Sequence, residues 1–234
     1  MMKLVLKKKP GSKSTIVTGF PSVGLVGTIV TKFLLDKLDF DKVGYIESDQ
    51  LIPVMAIHKC KLVEPLGIFY NKKHNLVILQ TLSGLVGIEW QIANAVVGLA
   101  KQLNAKEIIS IDSMAAETQE LKGFYYTNDS KRAKQFEGMG VECLKEGIIM
   151  GVNGALLLKS GLPTSCIFMQ THFSLPDSEA AAHTVEILDK LLGLKVDFKP
   201  LLEAAKKFER QLKGLIEKSK ESQKPTKADL SYVG

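Results

Sequence analysis

The sequence predicts an α/β layer fold, on three observations. Short β-branched apolar runs alternate along the chain with longer segments of helical periodicity. The composition, 45% hydrophobic and 24% charged, is that of an ordinary folded domain. The 234 residues suffice for one large domain with a well-buried core, or for two small ones.

The elements follow in chain order. Thr15-Ile16-Val17-Thr18 is β-branched and stops at Gly19. Gly24 to Leu38 carries Val26, Ile29, Val30, Phe33 and Leu34 at helical spacing. Val43 to Ile46, Val54 to Ile57 and Gly67 to Tyr70 read as strands. The polar turn at residues 71–75 joins the last of these to Leu76-Val77-Ile78-Leu79 as a hairpin. A long helix spans Ile88 to Leu103, and a buried strand runs from Glu107 to Ile111, ending at Asp112. Phe124 to Thr127 is a short strand. Ser130 to Gly138 is helical, capped by Asp129 or Ser130. Asn153 to Ser160 is a short helix stopped by Gly161 and Pro163. Thr164 to Gln170 is a late strand, and a helix capped by Asp177 or Ser178 runs to about Leu192.

The body of the chain is read as one domain over residues 1–198, followed by an amphipathic helix over 199–220 and a tail over 221–234. Pro200 suits a first helical turn. Leu201, Ala205, Phe208, Leu212 and Leu215 then recur at steps of four, three, four and three. Such a stripe serves equally as a coiled-coil-like seam between subunits or as a helix packed on its own domain. From Ser219 the composition turns polar and lysine-rich and reads as a flexible linker. It leads to Leu230-Ser231-Tyr232-Val233-Gly234, an apolar tip suited to docking. From Gln223 the linker reaches roughly 40 Å if extended, at about 3.3 Å per residue.

Charge and cysteine usage narrow the function classes. The net charge is +6, but lysines are scattered among acids and no arginine–aromatic run appears, so no nucleic-acid partner is expected. Cys60, Cys143 and Cys166 are odd in number, far apart and without a C-x-x-C, as in a reducing compartment. The first ten residues lack the apolar core of a signal peptide, and no stretch is long enough to span a bilayer. A cytoplasmic protein with no membrane partner is therefore expected.

Chemical motifs are few. Gly19-Phe20-Pro21-Ser22-Val23-Gly24-Leu25-Val26-Gly27 links a strand to a helix, where backbone N–H groups can face a phosphate, with Gly19, Ser22, Gly24 and Gly27 as the loop residues. Glu47 follows twenty residues beyond Gly27, as in a dinucleotide-binding unit. The spacing is not G-x-G-x-x-G, Pro21 lacks a donor and no G-K-[ST] is present, so glycines that let the helix lie close to the sheet are the favoured reading. His58 with Cys60, and Glu179 with His183, are pairs that fall short of a zinc ligand set, and no metal or cofactor is expected. Ser83, Asp112 with Ser113, and His172 each follow a strand, where ligands of open sheets bind, or else cap helices and hold loops. With no nucleophile elbow, the chain is read as a non-enzyme.

Three segments, in order, resemble the archaeal PAC2-type proteins, homologues of the proteasome assembly chaperones. They are the Gly19–Gly27 loop, Gly151-Val152-Asn153-Gly154-Ala155-Leu156-Leu157 with Gly161 and Pro163, and Pro176-Asp177-Ser178-Glu179-Ala180-Ala181. Ser178 stands where that family commonly has proline. The resemblance covers roughly residues 14–193. It implies a phosphorylase/hydrolase-like α/β/α sandwich with a mixed sheet, homo-oligomers, and ATP-independent binding to α-subunits of the proteasome core particle. Some members insert a hydrophobic–tyrosine–any-residue C-terminus between those subunits. Here Leu230, Tyr232, Val233 and Gly234 match approximately, Tyr232 being third from the end. The fold also leaves open a small-molecule enzyme using the glycine loop, or a general ATP-independent holdase.

Overall fold

The computed structural model describes residues 2–205 apart from 52, 54, 55, 59, 82, 83, 117–119 and 173–175. Apolar runs too rich in β-branched residues for alternation form the centre. All residues of β2 (Thr15–Gly19), β7 (Leu76–Thr81) and β11 (Thr164–Thr171) are buried, as strands covered on both faces must be. Around them lie β1 (Lys3–Leu6), β3 (Asp41–Glu47), β6 (Leu66–Asn71), β8 (Glu107–Ala115), β9 (Gly123–Thr127) and β10 (Glu142–Cys143). These nine strands form one mixed sheet in the order β1-β3-β6-β7-β2-β8-β11-β9-β10. The inner run β7-β2-β8-β11 is parallel, whereas β1, β3, β6 and β9 join antiparallel.

Side chains alternate across this sheet and create two cores. Ile16, Val77, Leu79 and Ile108 face α2 (Glu89–Gln102) and α4 (Gly151–Lys159). Val17, Ile78, Ile109 and Ile167 face α1 (Val26–Lys37), α3 (Ser130–Gly138) and α5 (Ser178–Leu192). The result is the α/β/α sandwich with a mixed sheet. Helix ends follow local chemistry. Asp129 caps α3 by accepting from Lys131 and Arg132, and Asp177 caps α5 by accepting from Glu179 and Ala180. Gly193 closes α5 in the left-handed region.

Several expectations are corrected. β8 does not stop before Asp112. The parallel ladder with β11 continues from Asp112 opposite Phe168 to Ala115 opposite Thr171, so Asp112 sits within the strand. The segment ending at Ile57 contributes β4 (Ala56–His58), which pairs only with β5 (Lys61–Val63) in a separate two-stranded ribbon. Cys60, with φ of 59°, lies in the turn of that ribbon, so it shares no strand face with His58. Residues 199–205 are helical. Leu201 and Ala205, the first two positions of the seam stripe, are buried within this chain, Leu201 in the α1–α5 core. Phe208, Leu212 and Leu215, and the tip residues Leu230, Tyr232, Val233 and Gly234, lie outside the described residues, as does Ser83.

Candidate functional site

The carboxyl ends of β2 and β8 open, together with the segment 144–153, into a cavity of about 430 Å³. Such a position at the strand ends of an open sheet is where ligands are commonly held. The β2–α1 loop forms one wall. Gly19 and Gly27 explain how it fits: a Cβ on Gly19 would lie 2.1 Å from the Gly27 carbonyl oxygen, and one on Gly27 would lie 2.9 Å from the Gly19 Cα. The loop is bent by two successive left-handed residues, Gly24 at φ 66° and Leu25 at φ 52°. It is pinned from β11 and α5, because the Asp177 N–H donates to the Gly24 carbonyl at 2.8 Å and Thr171 Oγ1 donates to Asp177 Oδ2 at 2.7 Å.

A buried polar chain runs to the cavity floor. Ser110 donates to Asn153 Oδ1, which makes Thr18 the donor in its 2.8 Å bond with Ser110. Asn153 Nδ2 then donates to Asp112 Oδ2 at 2.8 Å, and the Ser113 N–H donates to Asp112 Oδ1 at 2.8 Å. The Ser22 hydroxyl donates to Asp112 and that of Ser113 to the Val23 carbonyl, with the two hydroxyl oxygens 2.8 Å apart. Burial pushes the Asp112 carboxyl above the ordinary range, outweighing the bonds from Asn153, Ser113 and Ser22 that favour the carboxylate. Beneath it the Cys166 thiol is fully buried, and its pKa is pushed well up by burial and by Asp112.

The structure thus brings together Ser22, Asp112 and Ser113, and adds Asn153. A lone amide among the apolar residues of α4 was the signal for Asn153 in the sequence. His172, just beyond β11, does not line this cavity, and neither do Glu179 or His183. The charged side chains lining it are Glu89 and Asp112, both acidic. With no cation among the described residues of its lining, and with Pro21 removing one N–H donor from the loop, the site does not favour phosphate. Its chemistry suits a mostly apolar occupant with a small polar group at the Asp112–Asn153 floor.

Among the described residues no three His, Cys, Asp or Glu side chains gather as a metal requires. No described helix is long and apolar enough to cross a membrane. The cavity rim is unusually apolar: Val86 is 93% exposed and Ile148 91% exposed, with Met150 beside them. A second depression of about 550 Å³ shares Glu89, Ile149 and Gly151 with the first and is flanked by Trp90, Tyr126 and Leu158. Sequence periodicity did not distinguish these exposed residues from core ones.

Known proteins share this architecture. The structure superposes on crystal structures of Pyrococcus furiosus PbaA, an archaeal homologue of proteasome-assembly chaperone, at 31% identity. In one crystal form the match covers 95% of this chain and 94% of that one with a TM-score of 0.85. Pyrococcus furiosus PbaB, an archaeal proteasome activator, matches in fold at 20% identity, with a TM-score of 0.78 over 92% of this chain and 98% of PbaB. An uncharacterised protein of Methanocaldococcus jannaschii is 28% identical over 220 residues, covering 92% of this chain and 91% of its own. The PAC2 family model matches residues 16–216, through both glycine-loop and α5 segments, and the chain belongs to the PAC2 family.

Proposed function

We propose that this chain is a non-enzymatic, ATP-independent proteasome assembly chaperone homologue or adaptor that binds the proteasome core particle. The observation that carries this reading is its 31% identity to PbaA over nearly the whole of both chains. The folded domain supplies the scaffold, and Leu230, Tyr232, Val233 and Gly234 supply part of the contact with the core-particle α-subunits. Tyr232 combines an apolar ring with one hydroxyl, a pairing that favours a pocket with one polar group. The chain acts as a homo-oligomer. Because Leu201 and Ala205 are covered by their own domain, the association stripe is carried by Phe208, Leu212 and Leu215. Several tips on one oligomer gain avidity through effective concentration.

The test is binding of archaeal core particles to the full chain and to a chain truncated after Asp229. Binding by the full chain and its loss on truncation are expected. If neither protein binds, the reading is wrong. If both bind equally, the tip has no part in it.

A second reading is favoured by the cavity itself, whose Asp112–Asn153 floor and apolar walls suit a small molecule. Thermal shifts with nucleosides, nucleotides and phosphate test the enzyme form of that reading. A ligand far above its dissociation constant must raise the melting temperature, so no shift at millimolar concentration counts against it.

A further inference from the structure

The polar floor of the cavity has its donors engaged and keeps acceptors for a ligand. Both amide hydrogens of Asn153 are held, by Asp112 Oδ2 and by the Ile111 carbonyl at 3.4 Å. The Ser113 N–H is held by Asp112 Oδ1. The Ser22 hydroxyl donates to Asp112 and the Ser113 hydroxyl to the Val23 carbonyl. The two serine oxygens nevertheless lie 2.8 Å apart, with their hydrogens turned elsewhere and their lone pairs left to accept. Asp112 receives bonds from Asn153, Ser113 and Ser22, and a carboxylate has about four acceptor sites, so about one remains.

Such a floor selects a ligand that donates. It also selects positive charge, because Glu89 and Asp112 line the cavity and, among the described residues of the lining, no cation offsets them. Burial makes the Asp112 carboxylate costly, and a cation beside it relieves that cost. A guanidinium fork needs two parallel acceptors on one carboxylate, more than Asp112 has left. An ammonium has three donors and no acceptor, which matches one carboxylate site and two hydroxyl oxygens. Above the floor the walls are apolar, with Phe20, Leu85, Ile149 and Phe168 among them. The volume of about 430 Å³ lies in the usual range for a small-molecule site.

We propose that this cavity binds a small primary amine in its ammonium form, with the nitrogen on Ser22, Asp112 and Ser113 and an alkyl or aryl body against the apolar walls. This rests on the reading that the cavity holds a small molecule, and it gives that molecule a chemical class.

Phenethylamine, phenethyl alcohol and phenylpropanoate share an aryl body and differ in the head group. Isothermal titration calorimetry and thermal shifts with the full chain compare them at neutral pH. The amine is expected to bind at least roughly tenfold more tightly than the alcohol, and the propanoate not to bind. Asp112→Asn, which keeps the side-chain volume, is expected to weaken the amine by about tenfold or more and to leave the alcohol within about twofold. Glu89→Gln, at the half-buried start of α2, removes charge without touching the floor, and amine binding about threefold weaker is expected. Equal binding of amine and alcohol overturns the proposal and leaves the small-molecule reading standing. Amine binding unchanged in both variants, or propanoate binding as tight as the amine's, does the same. Failure of all three compounds at millimolar concentration also overturns it. The small-molecule reading falls with it only when nucleosides, nucleotides and phosphate leave the melting temperature unchanged as well.

Discussion

Asn153 on α4 and Asp112 on β8 meet at the floor of the cavity, with Nδ2 donating to Oδ2 at 2.8 Å. The same amide accepts from Ser110, so one side chain links the sheet interior to the cavity. Asn153→Ala would disturb two groups at once: a buried Ser110 hydroxyl loses its acceptor, and the largely buried Asp112 carboxylate loses the donor to Oδ2 while keeping the Ser113 N–H on Oδ1. A loss of about 2–3 kcal/mol in urea denaturation is expected. A loss under ~0.5 kcal/mol would mean that water replaces the amide at both ends.

Asp112 also sets a pH dependence. Its folded-state pKa is raised by burial, so the folded chain holds this proton to higher pH than the unfolded chain does. Its contribution to stability is therefore greatest below the unfolded value of ~3.9 and declines as pH rises through the folded value. Asp112→Asn removes that slope. The stability of the wild type minus that of the variant should fall as pH rises above the unfolded value of ~3.9 in denaturant titrations. A difference that rises with pH would show that the hydrogen bonds outweigh burial.

Gly19 and Gly98 separate the two costs of glycine. Gly19→Ala drives a methyl group into the backbone of Gly27, which has no side chain to move aside. A loss of about 3 kcal/mol or more is expected, and failure to fold fits the same cause. Gly98 is inside α2, and a Cβ there meets nothing within 4 Å. Gly98→Ala should gain about 0.5–1 kcal/mol through helix propensity. The order of the two melting temperatures checks both.

Arg132 and Glu107 tie α3 to the first residue of β8. Nε of the guanidinium donates to Glu107 Oε2 and Nη2 to Oε1, and both side chains are buried. Thr15 Oγ1 donates to Oε1 at 2.9 Å. Arg132→Ala leaves this buried carboxylate, among the described residues, with only the exposed Lys106 ammonium, 3.7 Å from Oε1, as counter-charge and should cost about 3 kcal/mol. Adding Glu107→Leu should recover part of the loss, the remainder reflecting the unpartnered Thr15 hydroxyl. Chemical denaturation of the three proteins measures the recovery, and a double variant weaker than Arg132→Ala would refute the account.

Much of the fold was legible because its signals are local. Thr15–Thr18, Leu76–Leu79 and Thr164–Gln170 are apolar, β-rich runs bounded by turn residues, and Asp129 and Asp177 mark helix starts through their own side chains. β1 was passed over because Lys3–Leu6 is a half-exposed edge strand whose pairing partner, β3, lies about forty residues on. The length of β8 was misjudged because its last residues, from Asp112 to Ala115, are held by the ladder to β11 rather than by their own propensity. Of the site, Ser22 was visible as a residue of the glycine loop, and Asp112 and Ser113 as residues following a strand. That Asp112 bonds to Asn153 rather than meeting His172 was not.

The sequence by itself determined the α/β class, the order of the central strands and the helices, the Asp129 and Asp177 helix caps and the resemblance to PAC2 proteins, because periodicity, capping and turn chemistry act over a few residues. Only the tertiary structure decided which groups share the cavity floor, that Gly19 and Gly27 touch, that Leu201 and Ala205 are covered by their own domain, and that Trp90, Ile148 and Met150 face solvent. An apolar residue has the same pattern in sequence whether it is covered or bare, and what covers it is set by strands and helices far away along the chain.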